Sequence, residues 1–144
     1  MAIKKGFSLI ELVTVMIIVS VLAAVLVPKM QGRIDKAKWS EANATAGSLR
    51  RMVRRYVAEH GPGYNYMAIE GTLDTPGIQS ELGVFSDDLS GNYFNQEDYI
   101  ISEVDASSGD CVITIDGSSS SHPHAPAGAA VMDSQGQWTV TNGS

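Results

Sequence analysis

From Phe7 to Val27 the apolar positions follow neither a helical nor a strand period; they are continuous, and Glu11 is the one charged residue among them. As an α-helix these 21 residues span about 31 Å, one hydrocarbon thickness of a bilayer. The run is too long for the apolar region of a cleaved secretory signal, and Leu26-Val27-Pro28-Lys29-Met30 makes a poor cleavage site. A small domain could not surround such a helix on all sides, so the pattern predicts a membrane-inserted segment. A carboxylate inside it is costly, roughly 2.5–3.5 kcal/mol at the centre of a membrane helix.

After Pro28 the period changes. Ala42, Ala46, Leu49, Val53, Tyr56 and Val57 recur at spacings of three and four, with Met52 alongside, which predicts an amphipathic helix. Arg50, Arg51, Arg54 and Arg55 fall largely off that stripe, and Gly61-Pro62-Gly63 supplies a helix stop. Arg54 and Arg55 complement the negative end of the helix dipole. One helix from Phe7 to about Glu59 would be about 80 Å long. Pro28 removes a backbone hydrogen bond and Gly32 weakens the same region, giving either a gentle bend or a segment able to unwind locally.

The remainder reads as a small domain. Gly63-Tyr64-Asn65-Tyr66 and Thr75-Pro76-Gly77 are turn-like, and Ile78–Leu82 and Ser86–Leu89 are short helical turns. Alternating apolar residues predict strands over Tyr99–Val104 and Cys111–Ile115, separated by a turn at Ser107–Asp110. A hairpin is expected over Ala129–Met132 and Gln137–Thr141. Four short antiparallel strands packed on the helix stripe give an α+β ladle: a long N-terminal α-helix, membrane half plus amphipathic half, on a small β-sheet head. The loop from Asp116 to Gly128, with its serine run and Pro-flanked histidines, is expected to be exposed and mobile.

Charge adds a polarity to this picture. The chain carries −6 overall, yet every Lys and Arg lies at or before Arg55, while acids recur to the end. A basic stem suggests nucleic acid first; complementary stems and heads in a polymer explain it equally well, and acids throughout the head disfavour DNA there. The arginine cluster has three readings: nucleic acid, acidic heads of neighbouring subunits, or a solvated face. Cys111, the single cysteine, excludes an intrachain disulfide and reads as a small hydrophobe in a strand. His122 and His124 are a weak metal signal, and Asp105, Asp110 and Asp116 match no calcium loop, so no metal or cofactor is expected. No nucleophile stands near a base, and no phosphate loop is present; enzyme activity is not expected.

The stretch Lys4-Lys5-Gly6-Phe7-Ser8-Leu9-Ile10-Glu11-Leu12 resembles the prepilin signature of type IV pilins and type II secretion pseudopilins. It has a short basic leader, Gly before the cut, Phe after it, Glu at the fifth mature position and then unbroken apolar helix; Pro28 is a second match. The resemblance covers roughly residues 1–60. It implies cleavage between Gly6 and Phe7 by a prepilin peptidase and N-methylation of Phe7, a leader at 1–6, a transmembrane and filament-core helix at 7–28, an amphipathic stem at 29–60 and a globular head with an αβ-loop and antiparallel sheet at 61–144. Gly6 has no side chain, so the scissile backbone can enter a narrow cleft.

The same resemblance gives Glu11 a role: pairing with the freed Phe7 amine of a neighbouring subunit, which would fix axial register. The alternative is that Glu11 snorkels to the cytosolic interface. Lys29, Arg33, Lys36 and Lys38 follow the span, offset only by Asp35, so the positive-inside rule taken alone puts the C-terminal side in the cytoplasm; the resemblance requires the opposite. The partners implied are further copies of the chain, the peptidase, inner-membrane assembly machinery and, before assembly, lipid. Location would pass from the inner membrane to a surface filament. The reading leans to pilin over pseudopilin, although the C-terminal cysteine pair of the commonest pilins is missing. A membrane-anchored monomer whose acidic head binds a ligand is the competing class.

Overall fold

A computed structural model describes residues 8–142 of the chain. Helix α1 runs from Leu9 to His60, with Pro28 inside it. Short helices α2 (Pro76–Leu82) and α3 (Ser86–Leu89) follow, then strands β1 (Gly71–Thr72, preceding α2 in the chain), β2 (Tyr99–Ser102), β3 (Val112–Asp116), β4 (Gly128–Met132) and β5 (Trp138–Asn142). Single 3-10 turns stand at Tyr66–Ile69 and Gln96–Asp98. The chain divides into two compact units, Met1–Lys36 and Ala37–Ser144, and α1 runs through both.

In the first unit the stretch of α1 from Leu12 to Val27 is apolar on every side but for Thr14 and Ser20, and exposed throughout. The two hydroxyls inside the run are satisfied by the helix itself: Thr14 donates to the Ile10 carbonyl at 2.8 Å and Ser20 to the Met16 carbonyl at 2.7 Å. That back-bonding leaves neither hydroxyl unpaired where no water is available. The helix from Leu9 is long and apolar enough to cross a membrane by length and composition.

The second unit is built on the helical stripe. Trp39, Ala42, Ala46, Leu49, Val53, Tyr56 and Val57 are buried in one core cluster, as the three–four spacing requires, with Trp39 extending the stripe one step earlier than expected. The sheet meets it with alternate residues: Tyr99 and Ile101 from β2, Ile113 and Ile115 from β3, Ala130 and Met132 from β4. Register makes this a continuous surface, because Tyr99 pairs with Ile115, Ile101 with Ile113 and Met132, through Ile113, with the same row. The sheet has five strands in the order β1-β2-β3-β4-β5, all antiparallel. The expected α+β class holds; the helical turn at 86–89 and the hairpin at 128–142 are where the pattern puts them, while α2 begins at Pro76 rather than Ile78, because proline suits the first position of a helix.

Three further details differ from expectation. β1 is an additional strand, too short for any alternation to show. β2 ends at Ser102 rather than Val104, because Glu103 adopts φ 52 and turns the chain out of the sheet. The 116–128 loop is tied down rather than free. Gly117 N–H donates to the Gly128 carbonyl, Ser118 Oγ accepts from Gly128 N–H at 2.7 Å, and Ser120 Oγ donates to buried Asp98 at 2.7 Å. Its serines, which read as a solvated run, are the groups that close it.

α1 ends as the glycine signal indicates: Gly61 has φ 75 and its N–H reaches the Val57 carbonyl at 2.9 Å, an arrangement that favours glycine. Leu49 is fully buried at the middle of the stripe. Leu49→Ala should therefore lower unfolding free energy by about 2–5 kcal/mol in denaturant titrations of the full chain in detergent, whereas Asn43→Ala, at an exposed position of the same helix, should change it little.

Candidate functional site

Of the residues singled out by the sequence, Gly6 and Phe7 lie outside the described residues. Glu11 sits in the first turn of α1, exposed, and its Oε2 accepts a hydrogen bond from Ser8 N–H at 2.9 Å. The Ser8 carbonyl accepts from Leu12 N–H at 3.3 Å. Ser8 thus acts as the N-cap and Glu11 reaches back to it, one half of a capping box, with the negative charge at the positive end of the helix dipole. Ser8-x-x-Glu11 is itself a capping-box spacing, so this contact was legible in the sequence beside the assembly role. Pro28 stands within an unbroken helical stretch and denies the helix one N–H.

The arginine cluster is claimed by the chain's own head. Arg50 Nη2 and Arg54 Nη2 both reach Asp110 Oδ1, at 2.9 and 2.6 Å. Arg50 also donates to the Ser134 carbonyl in the β4–β5 turn. Arg55 donates to the Leu82 carbonyl at the end of α2 at 3.1 Å, and Arg51 to Ser48 Oγ at 2.8 Å. Arg50, Arg54 and Arg55 bind three separate loops of the head to α1, a role outside the three readings of the cluster, while the Arg54 and Arg55 side chains stay 50% and 59% exposed. The spacing hides this because Asp110 is sixty residues from Arg50. At the same turn Gly109 has φ 69 and lies so close to α1 that a Cβ would stand 2.8 Å from the Arg54 Cα.

The other acids considered as cation ligands are occupied in turns. Asp105 Oδ1 accepts from the Ser107 and Ser108 N–H groups and from the Ser107 hydroxyl, and these bonds hold its pKa down at about 2. Asp116 caps Ser118 and Ser119 in the same way. His124 N–H donates to His122 Nδ1 at 3.3 Å. Among the described residues no three His, Cys, Asp or Glu side chains gather as a metal site. Cys111 is fully buried just ahead of β3, and burial pushes its thiol up to about 11, the direction of an inert core residue. Most of the exposed large apolar side chains among the described residues lie on α1 between Leu9 and Ile34.

The N-terminal segment also matches a family model. Residues 1–27 fit the prokaryotic N-terminal methylation motif. Beyond that motif, the chain is similar to type IV pilins and to a type II secretion core protein. A fimbrial protein of Neisseria meningitidis serogroup B is 33% identical over 102 residues, 65% of this chain and 60% of that protein. The type IV major pilin protein PilE1 of Neisseria gonorrhoeae is 31% identical over 103 residues, covering 65% and 57%. The type II secretion system core protein G of Escherichia coli K12 is 29% identical over 99 residues, covering 67% and 61%. The chain thus spans less than two thirds of the length of these relatives. No solved structure matches it.

Within the head the Asp110 contacts make a pH prediction. The Arg54 guanidinium, then Ser108 and Arg50, hold the Asp110 carboxyl below its ordinary value. A carboxyl lowered on folding stabilises the fold above the unfolded pKa of about 3.9, and that contribution fades as pH falls through the lowered native value. Asp110→Asn should therefore lower the melting temperature at pH 7, with the gap from wild type closing as pH falls below the ordinary carboxylate range. Cys111 should resist thiol reagents in the native protein and react within minutes once denatured, read by mass shift.

Proposed function

We propose that the chain is a structural subunit of a helical surface filament, made as a membrane-anchored precursor. The observation that carries this reading is the uncovered apolar helix from Leu9 to Met30 behind a methylation motif. An apolar surface of that extent is stable only in lipid or against other such helices. Before assembly lipid covers it; after assembly copies of the same helix do. In this account a prepilin peptidase cuts between Gly6 and Phe7 and methylates Phe7, and inner-membrane machinery moves the mature subunit into the filament. The leader is 1–6, the filament-core helix 7–28, the stem 29–60 and the head 61–144.

Glu11 then has two successive partners. In the single chain its carboxylate is held by Ser8 N–H. In the filament the Phe7 amine of a neighbour supplies a full positive charge, and a charge-assisted pair in a dry bundle is far stronger than a neutral N–H contact. Register follows, because a misplaced subunit leaves both charges buried alone, a loss of about 3–5 kcal/mol for a broken buried pair. Pro28 supplies a place where the helix can bend or unwind as the subunit leaves the bilayer. The named functions of the relatives are structural, so no catalytic role is assigned, and arginines already committed to the head leave little of the cluster for nucleic acid.

A pseudopilin of type II secretion is the second reading, favoured by the likeness to core protein G. Deletion separates them: loss of surface filaments supports the pilin, and loss of protein secretion with filaments intact supports the pseudopilin. For either, the mature N-terminus by mass spectrometry should begin at methylated Phe7. Glu11→Ala should insert and be processed as wild type yet give at least tenfold fewer filaments by electron microscopy; filaments of normal amount and order would overturn the charge-pair role.

A further inference from the structure

Between Pro28 and the buried Trp39, α1 carries Lys29, Arg33 and Lys36 at spacings of four and three, which sets three cations in one row along the helix. All three are exposed, and none has an ion-pair partner among the described residues. The cations further along are engaged: Arg50 and Arg54 with Asp110, Arg55 with Glu59 and the Leu82 carbonyl, Arg51 with Ser48, and Lys38 over the Tyr93 ring at 5.7 Å. So the cationic surface left open lies on residues 29–36.

Residues 37–144 hold every acid of the chain except Glu11 and Asp35 and only five cations, a net charge of −9. Asp74 and Glu103 are exposed there, and their carboxylates take part in no hydrogen bond or ion pair with other described residues. Heads of this charge brought side by side repel one another unless counter-charge is placed among them. Each copy brings that counter-charge on its own helix. The row also carries a cost: cations just beyond a membrane span oppose the orientation that a periplasmic head requires. Retaining them against that cost points to a use after insertion.

We propose that the Lys29–Arg33–Lys36 row is a docking surface for the acidic head of a second copy of this chain in the assembled filament. This deepens the filament-subunit reading and rests on it. The row meets carboxylates of the second copy, with Asp74 and Glu103 the open ones, so that the head of one subunit is seated on the stem of another. The contact is solvent-accessible, so it weakens with salt over a screening length of about 8 Å at physiological ionic strength. Anionic lipid headgroups carry the same charge and are the competing occupant.

The test is zero-length carbodiimide coupling of filaments grown from mixed nitrogen-15-labelled and unlabelled chains. Once residues 1–6 are removed the lysines are Lys29, Lys36 and Lys38, so amide links have few origins. Mixed-label links from Lys29 or Lys36 to carboxylates of residues 37–144 are expected. The variant K29Q/R33Q/K36Q should reach the membrane and be processed as wild type, yet give at least tenfold fewer filaments, and wild-type filaments should dissociate in high salt. Wild-type filament yield from the triple variant, or links confined to single copies, overturns the docking surface alone. A variant that is lost from the membrane while its remaining chains polymerise normally assigns the row to headgroups and also overturns it. If the wild-type chain forms no filaments, the filament-subunit reading itself falls, and the docking surface with it.

Discussion

Between Trp39 and Val57 the helix presents one apolar row, and the head is arranged to keep water from it. The row is too long for a single strand to cover, so β2, β3 and β4 each contribute two inward residues in matched register. Each large side chain so buried stabilises the fold by about 1.5–3 kcal/mol. The loops then have to be held where the strands leave them. Arg50, Arg54 and Arg55 do this from the flank of the same helix, reaching Asp110, Ser134 and Leu82. One helix face excludes water and its margin fixes the connections.

Upstream of that row the same helix is treated differently by the rest of the chain. Nothing in the described molecule covers Leu9–Val27, and its few polar groups are satisfied locally: Thr14 and Ser20 on helix carbonyls, Glu11 on Ser8 N–H. Such internal satisfaction suits a helix that must pass between two apolar environments, because no partner has to be exchanged for the hydroxyls on the way. Glu11 is the exception, since a single N–H leaves most of the carboxylate's capacity for hydrogen bonds unfilled.

Sequence patterns carried the parts of this molecule set by period. The helix row, the hairpin at 128–142 and the short helices are legible because burial repeats at three to four or at two positions. What was not legible has no period. β1 holds two residues, and the Asp110 clamp joins positions sixty apart. The serine loop misled because its composition is that of a solvated linker, while its hydroxyls are spent on Asp98, Asp116 and the Gly128 N–H. Of the candidate site, Glu11, Pro28 and the apolar run stood out at once. The commitment of the arginines to their own head did not, because a flank residue looks the same whether it faces water or a loop of the same chain.

The strands of the sheet lie side by side in the order in which they are synthesised, β1 to β5, each antiparallel to the last. From β2 onward every addition to the sheet closes a short connection, the longest being residues 117–127, and pairings of small sequence separation form faster than distant ones. The row on α1 is made before any of them. A nascent chain emerging from its N-terminal helix onward can assemble the head progressively, each strand finding a finished edge beside it. Such an order of events shortens the time for which an unpaired edge is open to the strands of crowded identical neighbours.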